Sequence, residues 1–281
     1  NKSLKGALNF LSNLSFVEIL LTGLVFLSEK TIGRRRKGVF ELKELMRKLS
    51  SVGYRMNKSG RYSVINVSDL GIKVLLRRFT SDIPVFQQVF LQKQYKPLTD
   101  RIFKSGTENS IRNIVDAGAN VGYTSLFFKK LFPEARIVGI EPEEGNYNMI
   151  ERNIALNSVL GITPVKKALW GGHEKLMLDK KFRDGREWAF RTIPGNNGGI
   201  DSLTLKDVME QYGIKTIDIL KIDVEGAEES IFQNADFLAN VRYLAIEIHK
   251  EFRMHEKITN LLAKYNFSYF ESGELTIATK Q

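Results

Sequence analysis

The amino-acid sequence predicts an α/β protein whose main body is a doubly wound, mostly parallel sheet, preceded by an N-terminal α/β extension. From residue 111 onward, short apolar segments alternate with helical segments. A glycine-rich turn follows the first apolar segment, and an acidic residue ends the second. The basic excess is confined to the N-terminal third. We therefore divide the chain into residues 1–37, 38–110 and 111–281.

The composition excludes several classes of protein. The 281 residues include no cysteine and three histidines, which rules out disulfides, thiolate metal sites and a cysteine nucleophile. Apolar residues make up 43% of the chain and charged residues 26%, as in ordinary globular proteins. Because a cysteine-free chain fits a reducing compartment, we expect a cytoplasmic protein.

The charge is unevenly distributed along the chain. Residues 1–110 contain 20 Lys and Arg against 8 Asp and Glu, whereas residues 111–281 contain 22 against 24. A catalytic body that binds a nucleic acid backbone should carry its own positive surface. The nearly neutral body therefore disfavours nucleic acid as a partner.

Residues 1–37 combine an amphipathic segment with a basic run. Apolar residues recur at spacings of three and four between Leu4 and Leu27, which predicts a helix. Charged residues interrupt this stretch, so it does not predict a membrane span. Two interpretations remain open: the helix packs on the body, or with the basic run at 34–37 it makes peripheral contact with a membrane. A chain that starts without methionine also indicates a trimmed or processed start.

Residues 38–110 are expected to form a separate module that caps the body. The pattern predicts a helix over 41–50, two strands over 62–67 and 72–77, and a second helix from Pro84. Asp82 is placed to cap that second helix.

Residues 111–281 are expected to form the body. The predicted strands cover residues 113–117, 136–140, 163–169, 217–222 and 243–248. The predicted helices cover residues 124–131, 145–156, 205–212 and 225–233. An insertion at 171–199 and a closing hairpin at 267–278 complete the domain. Ligands of such sheets bind beyond the carboxyl ends of the strands.

The turn after the first of these strands predicts a ligand site. Asp116 ends the strand, Gly118 permits a tight turn, and Gly122 lets the next helix start close to a ligand. This spacing suits a zwitterion, with its carboxylate at the helix N-terminus, better than a pyrophosphate. Glu141, at the end of the next strand, is placed to bind the two hydroxyls of a ribose. The alternative is that both glycines serve only the turn and Glu141 only ends its strand.

Several segments resemble a known family. Asp116–Gly122 and Gly139–Pro142 resemble the nucleotide-fold methyltransferases that use S-adenosylmethionine, and Leu220–Glu228 resembles the FkbM group within them. Thr80–Phe86 and Glu247–His249 are also similar to that group. The resemblance implies a Rossmann-like methyltransferase fold and transfer of a methyl group to a hydroxyl of a sugar, glycan or natural product.

The resemblance also implies a set of cofactor contacts. The first turn would hold the methionyl part of S-adenosylmethionine, Glu141 would bind its ribose, and two residues after the third strand would flank its adenine. The expected cofactor-binding residues are Asp116, Gly118, Ala119, Asn120, Gly122, Thr124, Glu141, Pro142, Ala168 and Leu169.

Four residues at neighbouring strand ends are candidates for catalysis: Asp223, Glu225, Glu247 and His249. An alcohol oxygen is a poor nucleophile while protonated, so a base or a metal should assist. His249 is the natural general base at neutral pH, and Asp223 would orient the acceptor or take its proton. Alternatively, the three carboxylates hold Mg²⁺. The structural alternatives are that Glu225 and Glu228 complement a helix dipole, that Glu247 is a buried acid paired with Lys221 or another base, and that His249 lies at the surface.

The sequence gives less information about which residues contact the methyl acceptor. Ser81, Asp82 and Trp188 are candidate substrate contacts, although Trp188 could equally pack in the core. Two other functions remain open, an RNA methyltransferase and an inert membrane-associated module that senses the cofactor. Assembly into a homo-oligomer is a further expectation.

Overall fold

The computed structural model describes residues 33–180, 186–195, 199–249, 251 and 253–281. These residues belong to two compact units, one ending at Gln92 and the other spanning Lys93–Gln281. The helix predicted between Leu4 and Leu27 lies outside the described residues. No helix of the described part is long and apolar enough to cross a lipid bilayer.

The structure divides the chain at Gln92, whereas the sequence analysis placed the body's start at residue 111. The difference arises because residues 93–110 pack on the body. The ring of Tyr95 lies 5.4 Å from that of Phe128, and the hydroxyl of Thr107 lies 2.7 Å from that of Tyr243. Aromatic and polar contacts therefore attach this segment to the second unit.

The first unit consists of a helix, an antiparallel sheet and a short second helix: α1 (Gly33–Val52), β1 (Arg55–Ser59), β2 (Tyr62–Val67), β3 (Ile72–Arg77) and α2 (Asp82–Phe86), which continues as a π-helix over Gln87–Leu91. The helix predicted over 41–50 starts earlier, because the basic run at 34–37 is helical, and Arg and Lys are good helix formers. The polar strand β1 was not predicted, since it forms by pairing with β2.

Asp82 does not cap the helix that it begins. Its carboxylate accepts a hydrogen bond from the backbone N–H of Arg77 at 2.7 Å and pairs with the guanidinium of Arg77, also at 2.7 Å. Asp82 and Ser81 are both fully buried. Their predicted contact with the substrate stays a prediction.

The second unit contains helices α3 (Lys96–Lys104), α4 (Tyr123–Leu131), α5 (Glu144–Asn157), α6 (Leu205–Gln211), α7 (Glu228–Ile231) and α8 (His255–Lys264). Its strands are β4 (Asn113–Ala117), β5 (Arg136–Ile140), β6 (Ile162–Val165), β7 (Ala168–Leu169), β8 (Lys175–Asp179), β9 (Arg191–Pro194), β10 (Ile200–Leu203), β11 (Ile217–Ile222), β12 (Val241–Glu247), β13 (Phe267–Ser272) and β14 (Leu275–Lys280).

The main sheet has seven strands in the order β13-β14-β12-β11-β4-β5-β6. The strands from β12 to β6 are parallel, and the terminal hairpin of β13 and β14 joins antiparallel to β12. The predicted doubly wound, mostly parallel fold is therefore confirmed. The chain leaves β4 toward one edge and returns to β11 on its other side, which makes the carboxyl ends of β4 and β11 the switch point where ligands bind.

A second, four-stranded sheet has the order β7-β10-β8-β9 and contains most of the predicted insertion. The strand predicted over 163–169 is split, because β6 pairs with β5 in the main sheet while β7 pairs with β10 in the small one. The helix predicted over 225–233 is also shorter, since residues 225–227 form a turn before α7. Glu225 therefore does not lie in the first turn of that helix.

Candidate active site

The turn that follows β4 is fixed by its own backbone. Gly118 and Gly122 have φ angles of 75° and 82°, which glycine adopts at little cost. A Cβ atom on Gly118 would lie 1.8 Å from the carbonyl oxygen of Asp223, so glycine is required where the turn passes this strand end. The amides of Gly118 and Ala119 donate to the carbonyl of Ile140 at 3.0 and 2.9 Å. The predicted turn is confirmed, and its contact with the cofactor stays a prediction.

Glu141 faces this turn from the end of β5. Its carboxylate accepts hydrogen bonds from the backbone amides of Asn120 and Glu143, each at 2.9 Å. The amide of Asn146 lies 3.4 Å from the same carboxylate and also donates to the carbonyl of Glu187 at 3.2 Å. Burial raises the pKa of Glu141 to about 7, although the hydrogen bonds oppose that rise. Glu141 thus stabilises the turn through a hydrogen bond. The ribose contact predicted for it is a separate role.

Asp116 lies beneath the turn and is fully buried. It accepts a hydrogen bond from the hydroxyl of Ser125 at 2.6 Å. Its other oxygen, Oδ1, lies 3.3 Å from the ammonium of Lys221, which occupies the facing position of β11. Lys221 therefore pairs with Asp116 and not with Glu247, whose basic partner is His249 at 3.4 Å.

The ammonium of Lys221 lies where the turn and two strands meet. It donates to the carbonyls of Gly118 at 2.6 Å and Ala117 at 3.2 Å, and it lies 3.6 Å from the carboxylate of Asp223. Burial works against the charged form, but the carboxylates of Asp116 and Asp223 outweigh it and hold the pKa of Lys221 above its ordinary value. A permanent positive charge therefore lies under the predicted cofactor site.

His249 lies just past β12 in a cluster of glutamates, which we call the His249 cluster (His249, Glu225, Glu228 and Glu247). Its Nδ1 hydrogen-bonds with the carboxylate of Glu228. Its Nε2 lies 3.4 Å from a carboxylate oxygen of Glu225 and 3.4 Å from one of Glu247. His249 is only 4% exposed, so the alternative of a surface histidine is wrong.

The surroundings of His249 oppose its predicted role as general base. Burial lowers the pKa of the imidazole, but the carboxylates of Glu228 and Glu247 outweigh this effect and raise it to about 11. An imidazole that already holds its proton at neutral pH cannot accept another one. The pKa of Glu247 is also raised, first by burial and then by the neighbouring carboxylate of Asp223.

The metal ligands predicted from the sequence were Asp223, Glu225 and Glu247. Among the described residues, the group whose ligand atoms lie within 4.8 Å of one another is Asp223, Glu247 and His249. An imidazole in place of the third carboxylate suits Mn²⁺ or Zn²⁺ better than Mg²⁺, which prefers oxygen ligands. The donor set therefore does not fit the predicted Mg²⁺.

Comparison with known proteins identifies the family of the chain. A family model described as "Methyltransferase FkbM domain" matches residues 116–269, from the end of β4 to the terminal hairpin. The chain belongs to the FkbM methyltransferase family. It is therefore a methyltransferase, and the family implies S-adenosylmethionine as its methyl donor.

Two fungal relatives of this FkbM methyltransferase are themselves named methyltransferases. Methyltransferase sdnD from Sordaria araneosa is 30% identical over 175 residues, covering 50% of this chain and 68% of the relative. Methyltransferase 1 from Beauveria bassiana is 24% identical over 175 residues, covering 54% and 66%. The chain thus spans about two thirds of each relative's length.

Solved structures of methyltransferases are similar to this chain at lower sequence identity. The METTL16 methyltransferase domain has a TM-score of 0.47 at 11% identity, covering 90% of this chain and 82% of that one. Magnesium protoporphyrin IX methyltransferase from Synechocystis PCC 6803, solved with bound S-adenosylmethionine, has a TM-score of 0.40 at 14% identity, covering 68% and 79%. No conclusion about this FkbM methyltransferase depends on these two likenesses.

The other predicted cofactor contacts lie around the same edge of the sheet. Thr124 is in the first turn of α4 and is 6% exposed, and Pro142 follows Glu141 directly. Ala168 and Leu169 form β7 and are buried. Contact of these residues with the cofactor stays a prediction for the FkbM methyltransferase.

Trp188 lies in a short 3₁₀-helix of the insertion, Glu187–Ala189. The guanidinium of Arg186 lies 4.7 Å from the centre of its ring, a cation–π contact. Because Asn146 holds the carbonyl of Glu187, this part of the insertion is attached next to Glu141. The role of Trp188 toward the acceptor stays a prediction.

Sequence reasoning missed two members of the site. Lys221 is predicted only as a partner for Glu247, although a lysine inside the apolar run of β11 is itself a signal of a buried charge. Glu228 is predicted only to complement a helix dipole, but its side chain is 1% exposed. No sequence pattern indicates that Glu228 reaches His249, which lies 21 residues later.

Proposed function

We propose that this FkbM methyltransferase moves the methyl group of S-adenosylmethionine to a hydroxyl of a sugar, glycan or natural-product acceptor. The observation that carries the proposal is the position of two carboxylates, Asp223 and Glu247, at the ends of neighbouring strands beside the Gly118 turn. Their side chains are 34% and 20% exposed, so an acceptor can reach them.

The reaction is an in-line displacement at the methyl carbon. The acceptor oxygen forms a bond to this carbon while the carbon–sulfur bond breaks, and its electron pair stays on sulfur as S-adenosylhomocysteine. The hydroxyl proton passes to a base. Alignment of oxygen, carbon and sulfur supplies much of the rate, so the fixed Gly118 turn contributes by holding the donor in place.

Glu247 is the best candidate for the base. Its pKa is raised by burial and by the carboxylate of Asp223, which makes it a stronger proton acceptor than an ordinary glutamate. His249, which keeps its own proton, would orient Glu247 from 3.4 Å. Asp223 would then hold the acceptor hydroxyl. No step of this scheme uses Mg²⁺.

Methyl transfer from radiolabelled S-adenosylmethionine to a panel of sugars, glycans and hydroxylated natural products tests the proposal. Glu247→Gln should lower kcat by about a hundredfold or more while the Kd for S-adenosylmethionine stays nearly unchanged. Glu271→Gln is the matched control, because Glu271 also contacts a histidine, His255 at 3.2 Å, but both side chains of that pair are exposed. Its kcat should equal that of the wild type.

Three results would contradict the proposal. Transfer only to nitrogen or carbon acceptors would exclude an O-methyltransferase. Transfer to RNA, with binding that weakens steeply as salt rises, would favour the nucleic-acid alternative. Cofactor binding without transfer to any acceptor would favour the inert sensor.

The cellular setting belongs to the same proposal. We propose a cytoplasmic enzyme with a small-molecule or glycan acceptor, peripheral membrane contact through residues 1–37, and assembly into a homo-oligomer. The basic excess of residues 1–110 supports the membrane contact. Co-sedimentation with anionic and neutral vesicles, and light scattering after gel filtration, measure these two properties.

A further inference from the structure

A buried cation occupies the switch point of the main sheet. Lys221 is 2% exposed and lies in β11, where every residue is buried. Placing a charge there is costly, and a well-packed apolar side chain at the same position is often at least as stable. Fold stability therefore does not explain why a lysine occupies this position.

The ammonium of Lys221 meets oxygens from two different parts of the site. The carbonyls of Ala117 and Gly118, at 3.2 and 2.6 Å, belong to the turn on the cofactor side. The carboxylate of Asp223, at 3.6 Å, belongs to the acceptor side, and that of Asp116, at 3.3 Å, lies between them. One cation thus touches both halves of the site.

These contacts complete the fixation of the turn. The carbonyl of Ile140 accepts hydrogen bonds from the amides of Gly118 and Ala119, and Lys221 donates one to the carbonyl of Gly118. The turn is therefore held through its amides and through its carbonyl. The carbonyl of Ala117 also accepts a hydrogen bond from the amide of Asp223 at 3.1 Å. Loss of the ammonium would release the carbonyl of Gly118 and the side chain of Asp223 together.

We propose that Lys221 is a positioning residue for methyl transfer, which fixes the cofactor turn and the acceptor-side carboxylate of Asp223 relative to each other. This inference rests on the proposed function for the role of Asp223. It adds a residue that contacts neither reacting group and acts through its neighbours on both sides.

Lys221→Met, which keeps the length of the side chain and removes its charge, tests the inference. Lys129→Met is the matched control, because Lys129 also donates to two backbone carbonyls, those of Pro133 and Ala135 at 2.6 and 2.7 Å, but at the far end of α4. Hydrogen exchange of the amides in residues 117–123 and calorimetric titration with S-adenosylmethionine and S-adenosylhomocysteine are measured on both proteins.

We expect Lys221→Met to raise the Kd of both cofactor forms about tenfold or more, as for lost hydrogen bonds to a charged group. Amide exchange in the turn should accelerate by a similar factor. The kcat measured at saturating cofactor should also fall, which weaker cofactor binding alone does not explain. Lys129→Met should lower the melting temperature without changing either Kd. Equal Kd values and exchange rates in wild type and a folded Lys221→Met protein would overturn the inference.

A chemical rescue separates positioning from packing. The chain has no cysteine, so Lys221→Cys introduces its sole thiol. Alkylation of the unfolded protein with 2-bromoethylamine, followed by refolding, restores an ammonium at nearly the original length, whereas 1-iodopropane gives a neutral side chain of the same size. We expect the aminoethyl protein to regain cofactor binding and kcat, and the propyl protein to fold without regaining them.

The outcomes distinguish this inference from the proposed function. If the propyl protein binds cofactor and turns over like the aminoethyl protein, or if it alone fails to fold, Lys221 serves packing and the inference is wrong. If the wild type binds cofactor but methylates no hydroxyl, the proposed function fails, while the exchange and binding measurements still decide whether Lys221 fixes the turn.

Discussion

The two halves of the candidate active site are built in different ways. On the cofactor side, the Gly118 turn is held mainly by backbone hydrogen bonds to Ile140 and by the carboxylate of Glu141. On the acceptor side, the His249 cluster is held by charged side chains from two segments, residues 225–228 and 247–249. The first half thus depends mainly on backbone hydrogen bonds, and the second on charge.

This difference decides which half titrates near neutral pH. Glu141 has a pKa of about 7, because the effect of its burial outweighs that of the hydrogen bonds to its carboxylate. His249 has a pKa of about 11, because glutamates surround it. The pH response of cofactor binding near neutrality should therefore come from Glu141 and not from His249, although histidine is the usual residue to titrate there.

The largest expected effect is on the cofactor side of the site, where backbone hydrogen bonds hold the Gly118 turn. Gly118→Ala should lower the free energy of unfolding by about 4 kcal/mol, through positive-φ strain and overlap with Asp223. It should also abolish cofactor binding. Urea denaturation and calorimetric titration measure both effects.

Gly213→Ala is the control for that substitution. Gly213 has a φ of 61°, but a Cβ there meets nothing within 4 Å. Strain alone should cost about 1 kcal/mol. Similar losses for the two alanine variants would show that the close approach to Asp223 is unimportant.

The second-largest expected effect is on the acceptor side of the site, where charged side chains hold the His249 cluster. Glu228→Gln should lower the free energy of unfolding by about 3 kcal/mol, because it removes one partner of a buried ion pair. His173→Gln, which breaks the exposed pair of His173 and Asp207 at 2.8 Å, should cost less than about 1 kcal/mol. Urea denaturation at neutral pH compares them.

The pH dependence of stability is a second test of the ion pair between His249 and Glu228. The folded pKa of His249 is raised above its ordinary 6.5 to about 11, so its contribution is complete below pH 6.5 and is lost as the pH rises toward 11. Glu228→Gln should flatten that decline. A wild-type protein whose stability does not fall over this range would contradict the protonated state of His249.

The smallest effect is the titration of Glu141. A ribose diol donates to an ionised carboxylate, so the affinity for S-adenosylmethionine should rise about tenfold between about pH 6 and 8. The cofactor-free protein should lose stability as the pH rises from about 4.5 to about 7, because the raised folded pKa favours the protonated form. Glu141→Gln should bind weakly at every pH. An affinity that changes with pH only above pH 9 would assign the titration to another group.

The same contrast explains what the sequence could predict. The Gly118 turn, Asp116 and Glu141 are local features, since glycines and acids at strand ends follow directly from the strand pattern. The mostly parallel sheet followed from the alternation of strands and helices. The body's start at Lys93 could not be predicted, because it depends on packing of Tyr95 against a helix that follows about thirty residues later.

The protonation of His249 could not be predicted for a different reason. It depends on Glu225, Glu228 and Glu247 meeting around one ring, and only the folded chain brings them together. A histidine read in isolation has a pKa near neutrality, so the sequence pointed to a base where the structure places a cation.

Asn146 has a consequence for attempts to redesign this enzyme. Its amide group contacts both Glu141 and the carbonyl of Glu187, so the residue predicted to bind the ribose and the segment that carries Trp188 share one side chain. We therefore expect that exchanging residues 171–199 for those of a relative, in order to accept a bulkier alcohol, also changes the affinity for the cofactor. Directed evolution of acceptor preference should include position 146 in its libraries from the first round.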